Sequence, residues 1–298
     1  MNKQHNSFRL RLDETRQLVE ERYWSNDPIE PLIHQYHLGI DKILSDIWDL
    51  HVPSTSLSAL YAVGGYGRGE LLPYSDIDLL VVSENLSEEK DQIENFLRDV
   101  FDLNLEVGHS VRDPKACRKE AKKDLTVATS MDERRFITGN EHISKTIEIA
   151  LSDIEIWPNK NFFEAKLEEQ KARHKHYDDS EYNLEPNVKA SPGALRDIHT
   201  ILWVCQKIYG TTNPNRLVNM EVITEQEREW LVRGRNFLWW VRFGLHLLTG
   251  RKEDRLTFSY QRELAARFST NDTSDSQSLV EQFMQGYYRH AIAISEVN

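Results

Sequence analysis

Val63-Gly64-Gly65-Tyr66-Gly67-Arg68-Gly69-Glu70-Leu71-Leu72-Pro73-Tyr74-Ser75-Asp76-Ile77-Asp78-Leu79-Leu80-Val81-Val82 is the stretch on which the reading of this chain turns. An apolar run, Ala59 to Val63, ends in two glycines, and a second apolar run begins with two aspartates one residue apart. Strand side chains alternate between faces, so Asp76 and Asp78 project together while Ile77 and Leu79 go to the other side. Two carboxylates at that spacing repel unless a cation sits between them. An all-oxygen site suits Mg²⁺, which takes one or two protein carboxylates and completes its shell with water and substrate phosphates. Gly64 and Gly65 lack Cβ and tolerate φ > 0, so a phosphate can come close to the backbone. If a short helix starts near Gly65, its free N–H groups face the same anion. Metal-binding carboxylates beside a phosphate cradle read as nucleotidyl transfer. The plain alternative is a glycine-rich turn leading into an ordinary strand. Two other phosphate loops do not fit: no Gly-x-x-x-x-Gly-Lys-Ser/Thr run occurs, and glycines 64, 65, 67 and 69 do not make Gly-x-Gly-x-x-Gly.

Bulk composition narrows the class. The 298 residues are 39% hydrophobic and 29% charged, as in a soluble globular protein with one large core or two ordinary ones. No apolar run approaches the roughly 20 residues that span a bilayer, and the polar stretch Met1 to Leu12 lacks a secretory h-region, so no membrane or export role is expected. Cys117 and Cys205, far apart, read as reduced thiols of a cytoplasmic protein. A net charge of −11 argues against a nucleic-acid substrate and leaves room for a nucleoside triphosphate, which needs only local positive charge and metal.

Outside the deciding stretch, residues 1–50 read as helices, with Leu10, Leu12, Leu18 and Val19 on one face and Ile33, Tyr36, His37, Ile40, Leu44 and Ile47 on another. Glu88 to Phe101 reads as an amphipathic helix. Leu103 to Val111 alternates as a half-buried strand, which puts Glu106 on the polar side as a candidate third carboxylate and His109 with the apolar set. An exposed strand glutamate is the equal alternative for Glu106, set against the need of two-metal phosphoryl chemistry for a ligand near the attacking oxygen. From Asp113 to about Asp178 successive helices are expected, including 124–138 and 164–176, with 166–175 a solvated face. Ser191 reads as an N-cap with Pro192 at the first helical position, and Gly210 ends that helix. Arg196, near a helix start where the dipole disfavours cations, suits an anionic ligand or, equally, an ion pair tying domains together. Thr224 and Glu227 form a capping box for a helix to Thr249. Residues 272–278 read as a polar loop, and Leu279 onward as a last helix. The expected organisation is α+β: N-terminal helices over 1–50, a mixed-sheet catalytic domain over 51–140, and an all-helical domain over 141–298.

These stretches together resemble the bacterial PII uridylyltransferase/uridylyl-removing enzymes. The resemblance rests on Gly64 to Leu71, Pro73 to Leu80, Leu105 to Arg112, Asp124 to Thr129, Glu185 to Lys189, Leu195 to Ile198, Leu245 to Leu248 and Gly250 to Phe258. Ala194 departs from it, since the family more often has glycine there. The resemblance implies transfer of UMP from UTP to a tyrosine of the signalling protein PII, with pyrophosphate leaving. Asp76 and Asp78 would bind two Mg²⁺ ions, with Glu106 completing the one that activates the acceptor hydroxyl. Gly64, Gly65 and Ser75 would hold the triphosphate, with Arg68, Lys189 and Arg196 as charge partners. Full-length members add an HD phosphohydrolase domain and glutamine-sensing ACT domains that do not fit in this chain, so neither uridylyl removal nor a glutamine response is expected of it. Adenylyl transfer to glutamine synthetase, nucleotide binding without transfer, and tailing of RNA are the alternatives.

Overall fold

The computed structural model describes residues 3–152, 156–177, 180–268 and 276–298. They form two compact units that divide between Pro158 and Asn159, where the expected division was at 140/141.

The first unit runs α1 (Lys3–Trp24), α2 (Ile29–His51), β1 (Ser58–Ala62), α3 (Gly64–Gly67), β2 (Ile77–Ser83), α4 (Lys90–Phe101), β3 (Val107–Arg112), α5 (Pro114–Lys123), α6 (Leu125–Asp132), β4 (Arg135–Gly139) and α7 (Glu141–Leu151). Its sheet has the order β3-β2-β1-β4. β1 is antiparallel to both neighbours, and β2 runs parallel to β3, which the chain reaches through α4. Continuous apolar runs mark strands covered on both faces, and β1 and β2 obey this: only Asp78 among their residues is not buried. One face, with Ala59, Tyr61, Leu80 and Val82, packs on Cys117, Ala121, Ala128, Met131, Ile143 and Ile147 of α5, α6 and α7. The other face carries Leu60, Ala62, Ile77, Leu79 and Val81, all buried. α2 and α4 meet edge-to-face through Trp48 and Phe96.

The second unit runs α8 (Asn159–His176), α9 (Leu195–Tyr209), α10 (Pro214–Asn219), α11 (Glu225–Thr249), α12 (Phe258–Phe268) and α13 (Ser276–Val297), with no strand among its described residues. The capping box forms: Glu227 N–H donates to Thr224 Oγ1 at 3.2 Å and Thr224 N–H to Glu227 Oε2 at 2.6 Å. Such a cap contributes about 1 kcal/mol. Gly210 and Gly250 end α9 and α11 in the left-handed conformation.

Several expectations are corrected. The helix expected over 124–138 stops at Asp132, and 135–139 is β4, whose apolar content is too short to declare itself without its partner β1. In α1 Leu10 and Leu18 face solvent; Phe8, Leu12, Val19 and Tyr23 make the buried face. The strand expected from 103 begins at Val107. His109 is exposed and meets Phe101 edge-on at 5.3 Å, so it does not join the apolar set. α9 starts at Leu195, not at Pro192. Ser191 Oγ accepts from Asn187 N–H at 2.9 Å, and the carboxylate of Asp197, inside the helix, accepts from Gly193 N–H at 2.7 Å. Asp197 is fully buried and also takes Arg173 and His174, so residues 166–175 are not merely a solvated face. Lys166 is buried too, its ammonium 4.3 Å from the Trp203 ring centre. Of the loop expected at 272–278, residues 272–275 lie outside the described residues and 276–278 are helical.

Candidate active site

The deciding stretch folds as a strand, one helical turn, and a loop into the next strand. β1 delivers the chain to Gly64, whose φ of +59° is a conformation that L side chains rarely adopt. A single turn leaves the N–H groups of Gly64, Gly65 and Tyr66 without partners inside it. Asp76, just ahead of β2, and Asp78, within it, lie on its partly exposed side, with Ile77 and Leu79 buried opposite. In the parallel register Asp78 sits beside Gly108, and Ile77 N–H donates to Glu106 O at 2.8 Å. Glu106 therefore lies just ahead of β3, next to Asp76, exposed and on the aspartates' face.

Two missing side chains define where the Asp78 carboxylate lies. A Cβ placed on Gly64 would be 3.1 Å from Asp78 Oδ2, and one on Gly108 would be 2.5 Å from Oδ1. The carboxylate thus occupies space that glycines on both sides leave open. Gly108 was missed in the sequence. Its signal was available: a glycine inside a strand marks close approach by something else.

The turn is held from behind. Tyr66 OH donates to Asp41 Oδ1 at 2.5 Å, and Arg135 of β4 donates to both oxygens of Asp41 at 2.6 and 3.0 Å. Burial, then Asp41, pushes the Tyr66 phenol well above its ordinary value, so it stays a donor. Arg68 gives Nε to Glu70 at 2.9 Å and Nη1 to Glu133 at 2.6 Å. Burial opposes its charge, but the two carboxylates more than reverse that and raise its pKa. Arg68 is thus engaged in bracing the turn. The approach to the aspartates is pinned at Pro73, whose carbonyl accepts from Tyr36 OH at 3.0 Å and Arg16 Nε at 3.3 Å. Beyond it, Ser75 Oγ is buried with no hydrogen-bond partner among the described residues.

The donor set is carboxylate oxygen, the kind Mg²⁺ prefers, and one or two carboxylates are its usual protein share. Asp76 and Asp78 fit that share. Among the described residues no three His, Cys, Asp or Glu side chains are gathered to hold an ion, so Glu106 shares the face without closing a three-ligand cage.

Lys189 and Arg196 belong to the second unit. Asn187 Oδ1 accepts from the N–H groups of Lys189 and Ala190 at 3.0 and 2.8 Å, and Arg196 N–H donates to Lys189 O at 2.8 Å. The Arg196 guanidinium lies 5.2 Å from the Trp203 ring centre. Ala194 is completely buried.

Comparison with known proteins gives two matches that overlap over residues 161–209. Residues 40–209 match the family model described as the nucleotidyltransferase domain, and residues 161–298 the one described as GlnD PII-uridylyltransferase. The bifunctional uridylyltransferase/uridylyl-removing enzymes of Ectopseudomonas mendocina and Stutzerimonas stutzeri are each 45% identical over 295 residues, 98% of this chain and 33% of theirs. That of Azotobacter vinelandii is 45% identical over 285 residues, 95% of this chain and 32% of its own. The chain thus spans about a third of the length of these relatives. Its aspartate-bearing strand and glycine turn lie inside a match that takes in more than half of the sequence, and the chain belongs to the nucleotidyltransferase domain family.

Proposed function

We propose that this chain transfers UMP from UTP to a tyrosine hydroxyl of a PII-type signalling protein, with release of pyrophosphate. The observation that carries the reading is the Asp78 carboxylate, flanked by Gly64 and Gly108 and on one face with Asp76 and Glu106, beside the single glycine-rich turn of α3. The uridylyl specificity and the acceptor rest on the relatives' names and on the PII-uridylyltransferase match to residues 161–298.

In this reading Asp76 and Asp78 would hold Mg²⁺, with Glu106 as a further ligand. The metal would supply charge neutralisation at the phosphates and a lowered pKa for the attacking hydroxyl. Gly64 and Gly65 offer backbone N–H groups to the triphosphate, and Ser75 offers a hydroxyl that has no partner among the described residues. Arg68 keeps the turn in shape through Glu70 and Glu133. Lys189 and Arg196 are assigned to phosphate oxygens. The phenolic oxygen gives up its proton to solvent and bonds to the α-phosphorus as the bond to the β-phosphate oxygen breaks, and fixed donors stabilise the charge that develops. A protein acceptor agrees with the net charge of −11, which disfavours nucleic acid. We place the reaction in the cytoplasm, consistent with two free, buried cysteines and with no helix among the described residues long and apolar enough to cross a membrane.

The test is a mass shift on a PII-type protein incubated with each nucleoside triphosphate, with and without Mg²⁺. Addition of UMP is expected, with a loss of at least about 10²-fold in Asp76→Asn, Asp78→Asn and Glu106→Gln at unchanged melting temperature. Addition of AMP instead would redirect the specificity. Near-normal Mg²⁺-dependent turnover by either aspartate variant would end the metal assignment.

A further inference from the structure

One ammonium group in the second unit lacks the counter-ion its surroundings call for. Lys189 follows Val188, whose N–H donates to Asp254 O at 2.8 Å, and this short antiparallel contact between 186–188 and 254–256 sets the lysine against α11 and the segment after it. Among the described residues the Lys189 Nζ makes no hydrogen bond and has no carboxylate within 4.0 Å. The carboxylate of the region, Asp254, is already taken: Arg242 Nε donates to its Oδ1 at 2.5 Å, and His246 Nε2 stands 3.9 Å from the same oxygen. The other charges facing Lys189 are the cations Arg242 of α11, Arg196 of α9 and Lys252 of the following segment. His246 is wholly buried, and among the described residues neither ring nitrogen has a hydrogen-bond partner. Burial first, then Arg242, brings the lysine down to about 8.

A desolvated ammonium among like charges costs stability, and such groups are concentrated where a ligand supplies what the protein withholds. We propose that Lys189, Arg242 and Lys252, with Arg196 at the edge, form a phosphate-binding site contained within the second unit. The ligand is an anion of the phosphate class, either the phosphate chain of a nucleotide or free phosphate or pyrophosphate. Arg242 is locked by Asp254 in one orientation, and the Lys189 backbone is locked by Asn187, so the cations are positioned before the anion arrives. This deepens the phosphate role assigned above to Lys189 and Arg196, and it needs no transfer chemistry.

The experiment is calorimetric titration of the whole chain in EDTA at low ionic strength with phosphate, pyrophosphate, tripolyphosphate and UTP. Tripolyphosphate is expected to bind and to weaken as pH rises through about 8, where Lys189 loses its proton. Lys189→Met should lose at least about tenfold in affinity, and Lys189→Arg should stay within about threefold. The ligand-free Lys189→Met protein should melt no lower than wild type, because it sheds an uncompensated charge. UTP binding at least about tenfold tighter than tripolyphosphate assigns the site to a nucleotide; equal binding assigns it to the phosphate chain alone. Unchanged affinity in Lys189→Met, or a lowered melting temperature that accompanies its loss of binding, overturns the proposal. Because neither Mg²⁺ nor an acceptor is present, a transfer-dead chain that still binds phosphate refutes only the transfer reading.

Discussion

Gly108→Ala separates the catalytic role of Asp78 from its part in the fold. The new methyl carbon would lie 2.5 Å from Asp78 Oδ1, roughly 0.9 Å short of ordinary contact at 3.4 Å. Among the described residues, the chain neighbours aside, only Asp78 comes within 4 Å, so the strain is relieved by turning the tip of one side chain. Gly108 is not at positive φ, so alanine fits the backbone, and it reduces the freedom of the unfolded chain by about 0.4–1 kcal/mol. Stability should therefore change by less than about 1 kcal/mol. Catalysis is less forgiving: a displacement near 1 Å at a reacting centre costs about 10²-fold, or about 2.7 kcal/mol of barrier. The assay pairs kcat/KM for UTP, with a PII-type acceptor and Mg²⁺, with a thermal melt. Gly67→Ala is the contrasting variant. Its methyl would meet the Glu133 carbonyl oxygen at 2.3 Å, which is backbone and cannot swing aside, so it should lose about 1–3 kcal/mol of stability. A Gly108→Ala protein with normal melting and activity within about threefold of wild type would refute the reasoning, since the Asp78 carboxylate would then be free to move without consequence.

Two further outcomes are expected. Asp41→Ala removes the acceptor of the Tyr66 hydroxyl and of both Arg135 bonds, so it should cost about 3 kcal/mol in urea unfolding and lower kcat through a loosened turn, whereas Asp41→Asn should recover part of both. The Lys189 ammonium has a folded pKa of about 8, below the roughly 10.4 of a free lysine, so the unfolded chain binds more protons across that window and wild-type stability rises with pH through it. The melting-temperature difference between Lys189→Met and wild type should thus be largest below pH 8 and shrink toward about pH 10.4; a constant difference would show that the site is not desolvated.

Local chemistry was legible without coordinates wherever one segment contains its own cause. Alternation alone put Asp76 and Asp78 on the face opposite Ile77 and Leu79, and the capping box at Thr224 and Glu227 needs only three residues of spacing. Helical periodicity likewise marked the inner faces of α2 and α4. What the tertiary structure alone decided were pairings between distant segments. The segment 135–139 became a strand because β1 offers it hydrogen bonds across more than seventy residues. Asp197 drew in Arg173 and His174, which turned a charged helix face into an interior contact. Gly108 acquired its meaning from the carboxylate lodged beside it, and Arg68 from Glu133. Periodicity records which face a residue presents; which partner waits on that face depends on loop closure and packing over the whole chain, and no local pattern carries that information.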